Sequence, residues 1–199
     1  MAAGRPRSFD EADVLEHATQ VFWSQGFEAT SVADLEAATG LGRQSLYNAF
    51  GGKRALYLAC LKHYEQTRAA GFGDCLAAAP DPLAAVEGVV RSWAQAARKT
   101  GCRGCLFLNA VSEFGGRDPD LLATVTRVLD AQQRALADCL QAAQRAGQLA
   151  PDADPTALAR RLQATGHGLQ LMSRLDPDDG VLDDIVRDTL ASLGRRPAA

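Results

Sequence analysis

The chain has 199 residues, of which 47% are hydrophobic and 23% are charged, and its formal net charge at pH 7 is −3. These values are ordinary for a soluble globular protein with room for one domain or two small ones. No apolar run approaches the length of a membrane span, and the first ten residues lack the apolar core of a signal peptide, so we expect a cytoplasmic protein with no membrane partner.

The net charge of the N-terminal 54 residues does not by itself indicate nucleic-acid binding, because seven acidic residues outnumber five basic ones. The placement of the cations is more informative, since all of them lie in the first eight residues or near residues 43–54. A focused cationic edge can bind DNA phosphates even on an acidic domain. Arg5 and Arg7 are candidates for the DNA minor groove, and a disordered tail is the alternative for this arm.

The first predicted helix begins after Ser8 or Asp10, either of which can cap it, and ends at Gly26. Its apolar residues recur on one stripe, which is typical of a helix that packs on a core. Phe27 is expected in the same core.

Two short helices around a tight turn are predicted between Ser31 and Tyr57. Ser31 and Asp34 have the spacing of a capping box at the beginning of the first of these helices. Gly40 is the expected left-handed residue at its end. A glycine pair ends the second helix, and Lys53 opens a longer one. This arrangement predicts a helix-turn-helix, whose second helix enters the major groove of DNA.

The second short helix is expected to turn Leu46 and Phe50 inward and a polar set outward. An arginine pairs with guanine, carboxamides pair with adenine, and hydroxyl groups reach phosphates, so this face is suited to reading DNA. A solvated polar surface is the alternative for any one of these residues. The candidate DNA-binding residues near this helix are Thr30, Ser31, Arg43, Gln44, Ser45, Tyr47, Asn48 and Lys53.

The segment G-L-G-R-Q-S-L-Y-N-A-F-G-G-K-R-A-L-Y, residues 40–57, closely resembles the end of the DNA-binding domain of TetR/AcrR-type repressors. That family has a turn of small residues, a recognition helix ending in Leu-Tyr-x-x-Phe, and a Lys that opens the fourth helix. The segment from Phe22 to Leu35 also resembles the family's junction of first and second helices. Gly42 is a departure, because the family often has Ser or Thr there as a cap.

From Pro82 onward the chain is predicted to be helical throughout, which together with the helices before it gives an all-α fold of about nine helices. The helix from Lys53 is expected to end near Ala70, with Gly71 and Gly73 in the loop that follows. We expect a DNA-binding domain at 1–54 and a helical effector-binding and dimerisation domain at 55–199. The last two helices are broadly apolar, and the resemblance implies a homodimer through them and therefore a palindromic operator.

A small-molecule effector pocket is expected among the helices from about Val86 to Gly168. Plain core packing is the alternative for most of the candidate lining residues, because apolar side chains at helical spacing serve both purposes. The candidates are Trp93, Phe107, Asn109, Phe114, Val125 and Met172.

The five cysteines of the chain are an odd number without an export signal, so we expect free thiols rather than a disulfide framework. Cys102 and Cys105 precede a predicted helix, where the helix dipole and Arg103 can lower a thiol pKa. They are candidates for redox sensing, with buried structural thiols as the alternative. One C-x-x-C motif without a second pair does not predict a zinc site.

No Walker loop, nucleophile elbow, metalloprotease motif or dinucleotide fingerprint occurs, so we expect neither enzymatic activity nor a cofactor. The sequence predicts a DNA-binding transcriptional regulator, a homodimeric repressor that an effector or thiol modification releases from its operator. The alternative is a helical small-molecule carrier or sensor whose N-terminal hairpin binds protein.

Overall fold

The computed structural model describes residues 9–77, 79, 81–99, 101, 103–175 and 177–194. These residues form nine α-helices and two short 3-10 turns, with no strand among them, which confirms the predicted all-α fold. The helices are α1 (Glu11–Gln25), α2 (Val32–Thr39), α3 (Arg43–Phe50), α4 (Lys53–Ala77), α5 (Pro82–Lys99), α6 (Leu106–Phe114), α7 (Pro119–Arg145), α8 (Pro155–Met172) and α9 (Asp179–Ala191).

The chain divides into two compact units, Met1–Thr67 and Arg68–Ala199. The division falls inside α4, whereas the sequence places the domain boundary at the beginning of that helix. Among the described residues, no helix is both long enough and apolar enough to cross a membrane.

The core of the first unit is aromatic and lies between α1 and the N-terminal part of α4. The rings of Phe22 and Tyr57 meet edge to face with centroids 4.9 Å apart, and Phe27 lies 5.2 Å from Tyr57. Trp23 meets Tyr64 in the same way at 5.2 Å. Edge-to-face pairs add directionality to apolar burial, so these rings fix where α1 crosses α4.

Local capping signals in the sequence correctly predict the ends of α2 and α3. The Asp34 backbone N–H donates to the Ser31 hydroxyl at 3.1 Å, and the Ser31 N–H donates to the Asp34 carboxylate at 2.7 Å, which completes the capping box. Gly40 and Gly51 have φ of 70° and 86°, a left-handed backbone conformation that residues with a Cβ rarely adopt. The helix-turn-helix geometry therefore follows from short-range chemistry.

The second unit is built around α5, α7 and α8, with α9 packed on α5 and α8. Asp118 and Asp154 cap α7 and α8, and each is followed by a proline in the first turn. The buried residues of the core are Leu83, Val86, Val89, Val90, Ala94, Ala97, Leu136, Leu140, Ala143, Leu149, Ala159, Leu162, Leu169, Leu182, Val186 and Leu193.

Helices α5 and α8 approach closely at Gly166. A Cβ built on Gly166 would lie only 2.7 Å from Cε3 of Trp93, a distance that real Cβ contacts do not show. The side-chain amide of Gln170, one turn later on α8, donates to the Trp93 carbonyl oxygen at 3.2 Å. The absence of a side chain at Gly166 therefore lets the indole lie directly against the backbone of α8.

Two glutamine side chains order the connection between α7 and α8. The Gln148 amide oxygen accepts from the backbone N–H of Leu83 at 3.3 Å, at the beginning of α5. The Gln144 amide nitrogen lies within 3.1 Å of three loop carbonyl oxygens, those of Ala150, Pro151 and Ala153.

Helix α4 is longer than its sequence predicts. The sequence predicts Gly71 and Gly73 in a loop after Ala70, but both lie within the helix, which ends at Ala77. Each glycine costs a helix interior about 1 kcal/mol relative to alanine. Phe72 and Leu76 pack against the core of the second unit, and this burial offsets the low propensity.

Candidate nucleic-acid interface

Helix α3 presents one buried side chain and a broad polar face. Leu46 is 4% exposed and fills the space between the helices of the first unit. The residues on either side of it point to solvent, and Tyr47 is among the largest exposed apolar side chains at 38%. The exposed set consists of Arg43, Gln44, Ser45, Tyr47 and Asn48.

Two pairs of side chains, each one turn apart, organise this polar face. The guanidinium carbon of Arg43 lies 5.5 Å from the centroid of the Tyr47 ring, within the range of a cation–π contact. The Gln44 side-chain amide donates to Oδ1 of Asn48 at 2.9 Å. Donors and acceptors suited to base edges are thus held in defined positions without DNA.

The beginning of α3 is capped by a residue that sequence reasoning missed. Gly42 is the N-cap residue and has no side chain to accept a hydrogen bond. The Arg43 backbone N–H donates instead to the Glu36 carboxylate at 2.5 Å, across the turn from α2. A spacing of seven residues matches no capping motif, so the only available signal was an acidic residue near a helix start that lacks its own cap.

Lys53, a candidate phosphate contact, is half-buried at the beginning of α4. Its Nζ lies 4.4 Å above the centroid of the Phe27 ring and 3.4 Å from the Glu28 carbonyl oxygen. The ammonium group therefore has a fixed position on the turn that precedes α2.

Ser31 and Thr30 differ sharply in exposure. Ser31 is exposed, and its hydroxyl donates to the Asp34 carboxylate at 2.7 Å. This hydrogen bond is the main cause that lowers the pKa of Asp34 below its usual value. Thr30 is only 1% exposed and its hydroxyl donates to the Gly26 carbonyl at 2.6 Å. This burial does not fit a DNA contact, so Thr30 is removed from the candidate set. Arg5 and Arg7 lie outside the described residues.

A second contact that the sequence did not reveal joins α1 to α4. His63 Nε2 lies 3.0 Å from the Glu16 carboxylate, and Gln20 donates to the same carboxylate at 2.6 Å. The pKa of the Glu16 carboxyl is lowered, and the hydrogen bond from Gln20 is the largest cause. Burial raises this pKa and is the next largest influence, and the hydrogen bond with His63 lowers it further.

The predicted effector-pocket residues lie in the second unit with unequal burial. Phe107 and Val125 are buried, at 3% and 0% exposure. The other four, Trp93, Asn109, Phe114 and Met172, are half-buried. Asn109 is held by a polar network, because its amide nitrogen donates to the Arg103 carbonyl at 3.0 Å and its oxygen accepts from Arg174 at 3.1 Å.

The described cysteines have different environments. Cys60 is fully buried, and burial is the main cause that raises the pKa of its thiol to about 12. Burial also raises the pKa of Cys139. Cys105 is half-buried at the N-cap position of α6. Cys102 lies outside the described residues. Among the described side chains, no three His, Cys, Asp or Glu gather as a metal site would require.

Two family models match the chain. Residues 14–60 match the bacterial regulatory proteins of the tetR family, and residues 82–189 match the tetracyclin repressor-like C-terminal domain. The first match contains α2 and α3, and the second covers more than half of the chain.

Individual relatives agree with these models. The uncharacterised HTH-type transcriptional regulator YezE of Bacillus subtilis is 32% identical, and the alignment covers 96% of this chain and 99% of YezE. The repressor ComR of Escherichia coli is 31% identical over 86% of this chain and 82% of ComR. A solved structure of the TetR-family regulator CifR, a cysteine mutant complexed with 26-base-pair operator DNA, superposes with a TM-score of 0.84. It has 27% identity and covers 94% of this chain and 99% of CifR. The chain therefore belongs to the TetR family and is a DNA-binding transcriptional regulator.

Proposed function

We propose that this regulator is a homodimeric repressor without catalytic activity, working in the cytoplasm, that reads a palindromic operator with one α3 helix from each protomer. In this proposal, residues 1–54 form the DNA-binding domain and residues 55–199 form the effector-binding and dimerisation domain. Relatives named as repressors and CifR structures named as operator complexes support this function.

The observation that carries the proposal is the exposed polar face of α3. Arg43 and Gln44 lie in the first turn of the helix, where side chains of a recognition helix meet base edges. Ser45, Tyr47 and Asn48 continue the same surface. We assign base contacts to Arg43 and Gln44, and phosphate contacts to Ser31, Tyr47 and Lys53.

The test is selection of bound duplexes from a random pool, followed by affinity measurements on the recovered sequence. Arg43→Ala and Gln44→Ala are each expected to cost about 1–3 kcal/mol and to relax preference at one or two base pairs. Lys53→Ala should weaken binding to all sequences and flatten its dependence on salt, because one phosphate contact is lost. Arg134→Ala, on the exposed surface of α7, is the matched control and should change neither quantity.

Failure to recover any preferred sequence would overturn the repressor proposal and favour a hairpin that binds protein. Unchanged base preference in both the Arg43 and the Gln44 variants would overturn the assignment of α3 as the reading helix.

We further propose that a small molecule in the second unit, or modification of Cys102 or Cys105, lowers operator affinity. By linkage, an effector that binds the released state more tightly must itself bind more weakly in the presence of operator. Trp93, Phe107, Asn109, Phe114, Val125 and Met172 are the proposed pocket residues. The thiol branch is tested by operator binding after mild oxidation: Cys105→Ser or Cys102→Ser should abolish the oxidant response, whereas Cys60→Ser should retain it, since burial keeps that thiol protonated.

A further inference from the structure

The recognition helix begins without a cap of its own. Gly42, the N-cap residue, has the extended conformation usual for that position, with φ −65° and ψ 156°, but it has no side-chain oxygen. The first backbone N–H groups of a helix have no partner within the helix and need an acceptor from elsewhere. At the first residue of α3, Glu36 Oε1 supplies that acceptor, 2.5 Å from the Arg43 nitrogen.

Glu36 is bonded on both sides of the turn. Its backbone carbonyl accepts from the Gly40 N–H at 2.9 Å, which ends α2, while its carboxylate accepts from the Arg43 N–H, which begins α3. A hydrogen bond to a charged acceptor is stronger than one between neutral groups, and a negative charge at a helix N-terminus is favoured by the helix dipole. One residue therefore fixes the end of the first helix relative to the beginning of the second.

We propose that Glu36 is a positioning residue for operator recognition, acting as a remote cap that sets the beginning of α3 and thereby the placement of Arg43 and Gln44. This inference rests on the function proposed above, in which those two side chains read bases. Glu36 makes no base contact in this proposal. Its carboxylate also occupies the N-terminal end of α3, a position where helices commonly bind phosphate, so recognition depends on the side chains of α3.

The geometry permits a direct rescue experiment. A Cβ built on Gly42 has only Glu36 Oε1 near it, at 4.0 Å, and the extended backbone of Gly42 is accessible to serine. Serine is among the preferred N-cap residues and would accept from the second or third N–H of α3. The variant Gly42→Ser in a Glu36→Ala background thus restores a cap at the same helix start through a different atom.

The experiment compares Glu36→Ala, Glu36→Gln, and the double variant Glu36→Ala with Gly42→Ser. Asp13→Ala is the charge control, because it removes an exposed carboxylate from α1 of the same unit. Two quantities are measured on full-length protein at a temperature at which every variant is folded. The first is hydrogen exchange of the Arg43 amide without DNA, and the second is the ratio of affinities for the selected operator and for operators changed at the bases that Arg43 reads.

Glu36→Ala is expected to expose the Arg43 amide to exchange and to reduce both operator affinity and the affinity ratio by about three- to tenfold, the effect of losing one cap. Its salt dependence should equal that of the wild type, because no phosphate contact is lost. Glu36→Gln should give a ratio between those of the wild type and Glu36→Ala, since the amide oxygen still accepts but lacks the charge that strengthens the bond. The Gly42→Ser change should recover the ratio in the Glu36→Ala background.

An unchanged affinity ratio in Glu36→Ala would overturn the proposal, as would failure of Gly42→Ser to recover the ratio. Glu36→Gln behaving like Glu36→Ala would also overturn it, by pointing to charge rather than to capping. The hydrogen-exchange measurement does not need an operator, so it distinguishes failure of the Glu36 cap from failure of the proposed function. A protein that selects no operator would overturn the reading role of α3, and an Arg43 amide equally protected in wild type and Glu36→Ala would overturn the cap itself.

Discussion

The side-chain amide of Gln44 donates to the side-chain oxygen of Asn48, one turn further along α3, at 2.9 Å. Both residues are exposed, so the bond forms between two groups that face the proposed DNA surface. It orients the Gln44 carboxamide before any base is met and reduces the rotamer freedom that binding would otherwise have to restrict.

Asn48→Ala should therefore weaken operator binding partly through Gln44. In a double-mutant cycle with Gln44→Ala, we expect a coupling energy of about 0.5–3 kcal/mol, because the two side chains share one hydrogen bond. The measurement is operator affinity of the two single variants and the double variant at fixed salt. Strictly additive losses of operator affinity would show that Asn48 acts independently of Gln44. The control is the same cycle with Arg43→Ala and Asn48→Ala, a pair that shares no hydrogen bond.

Self-association is expected to depend on exposed aliphatic side chains at the end of α8, in the turn after it and at the beginning of α9. Leu171 and Leu175 are 64% and 79% exposed, and Val181 at the beginning of α9 is 41% exposed. These side chains lie on or beside the last two helices, through which the proposed dimer forms. The double variant Leu171→Glu, Leu175→Glu should sediment as a monomer and lose at least about tenfold in operator affinity, since one of two half-site contacts is lost.

The control for that experiment is the double variant Ala123→Glu, Ala131→Glu, which adds the same two negative charges to the exposed surface of α7. It should sediment like the wild type. A dimeric Leu171/Leu175 double variant would place the protomer interface elsewhere.

Gly166→Ala should destabilise the second unit, because the added methyl group would meet the Trp93 indole at 2.7–2.9 Å. Overpacking of this kind costs about 1–3 kcal/mol of unfolding free energy. Gly168→Ala is a matched control on the same helix: nothing lies within 4 Å of its Cβ position, so the higher helix propensity of alanine should leave stability unchanged or raised. Urea denaturation at equal protein concentration compares the two, and equal stability would contradict the close approach.

The protein should lose stability as the pH falls below about 6.5, the unperturbed pKa of histidine. Burial lowers the pKa of His167 in the folded protein, so the unfolded chain takes up a proton at a higher pH than the folded chain does. The stability associated with neutral His167 is fully present above the unfolded pKa and is lost as the pH falls through the folded pKa.

The measurement is unfolding free energy between pH 8 and pH 5 for the wild type and His167→Gln. The variant should show a shallower decline over this interval. Parallel curves would indicate that another group accounts for the pH dependence.

The parts of the structure that the sequence predicts well are those fixed by neighbours along the chain. The Ser31–Asp34 pair spans three residues, and the left-handed glycines at 40 and 51 act on the turn beside them, so their chemistry is visible in the sequence. The exposed face of α3 follows from the position of Leu46 and the period of a helix.

The parts that the sequence does not predict depend on contacts between separate segments. Glu36 and Arg43 meet only because the turn folds back, and no periodicity marks that distance. The extension of α4 past two glycines depends on burial of Phe72 and Leu76, which residue propensity alone does not reveal. Thr30 has a residue type suited to phosphate contacts, but its burial is decided by the packing around it.

The loop between α7 and α8 would ordinarily be chosen as a site to insert a tag or a fluorescent reporter, because it connects two long helices. The Gln144 amide nitrogen, with only two hydrogens, serves three of its carbonyl oxygens, and Gln148 from the same segment holds the beginning of α5. Additional residues here would separate those carbonyls and release a helix more than sixty positions away in the chain. Insertions in this short connection should therefore destabilise the second unit, and a tag is better placed elsewhere.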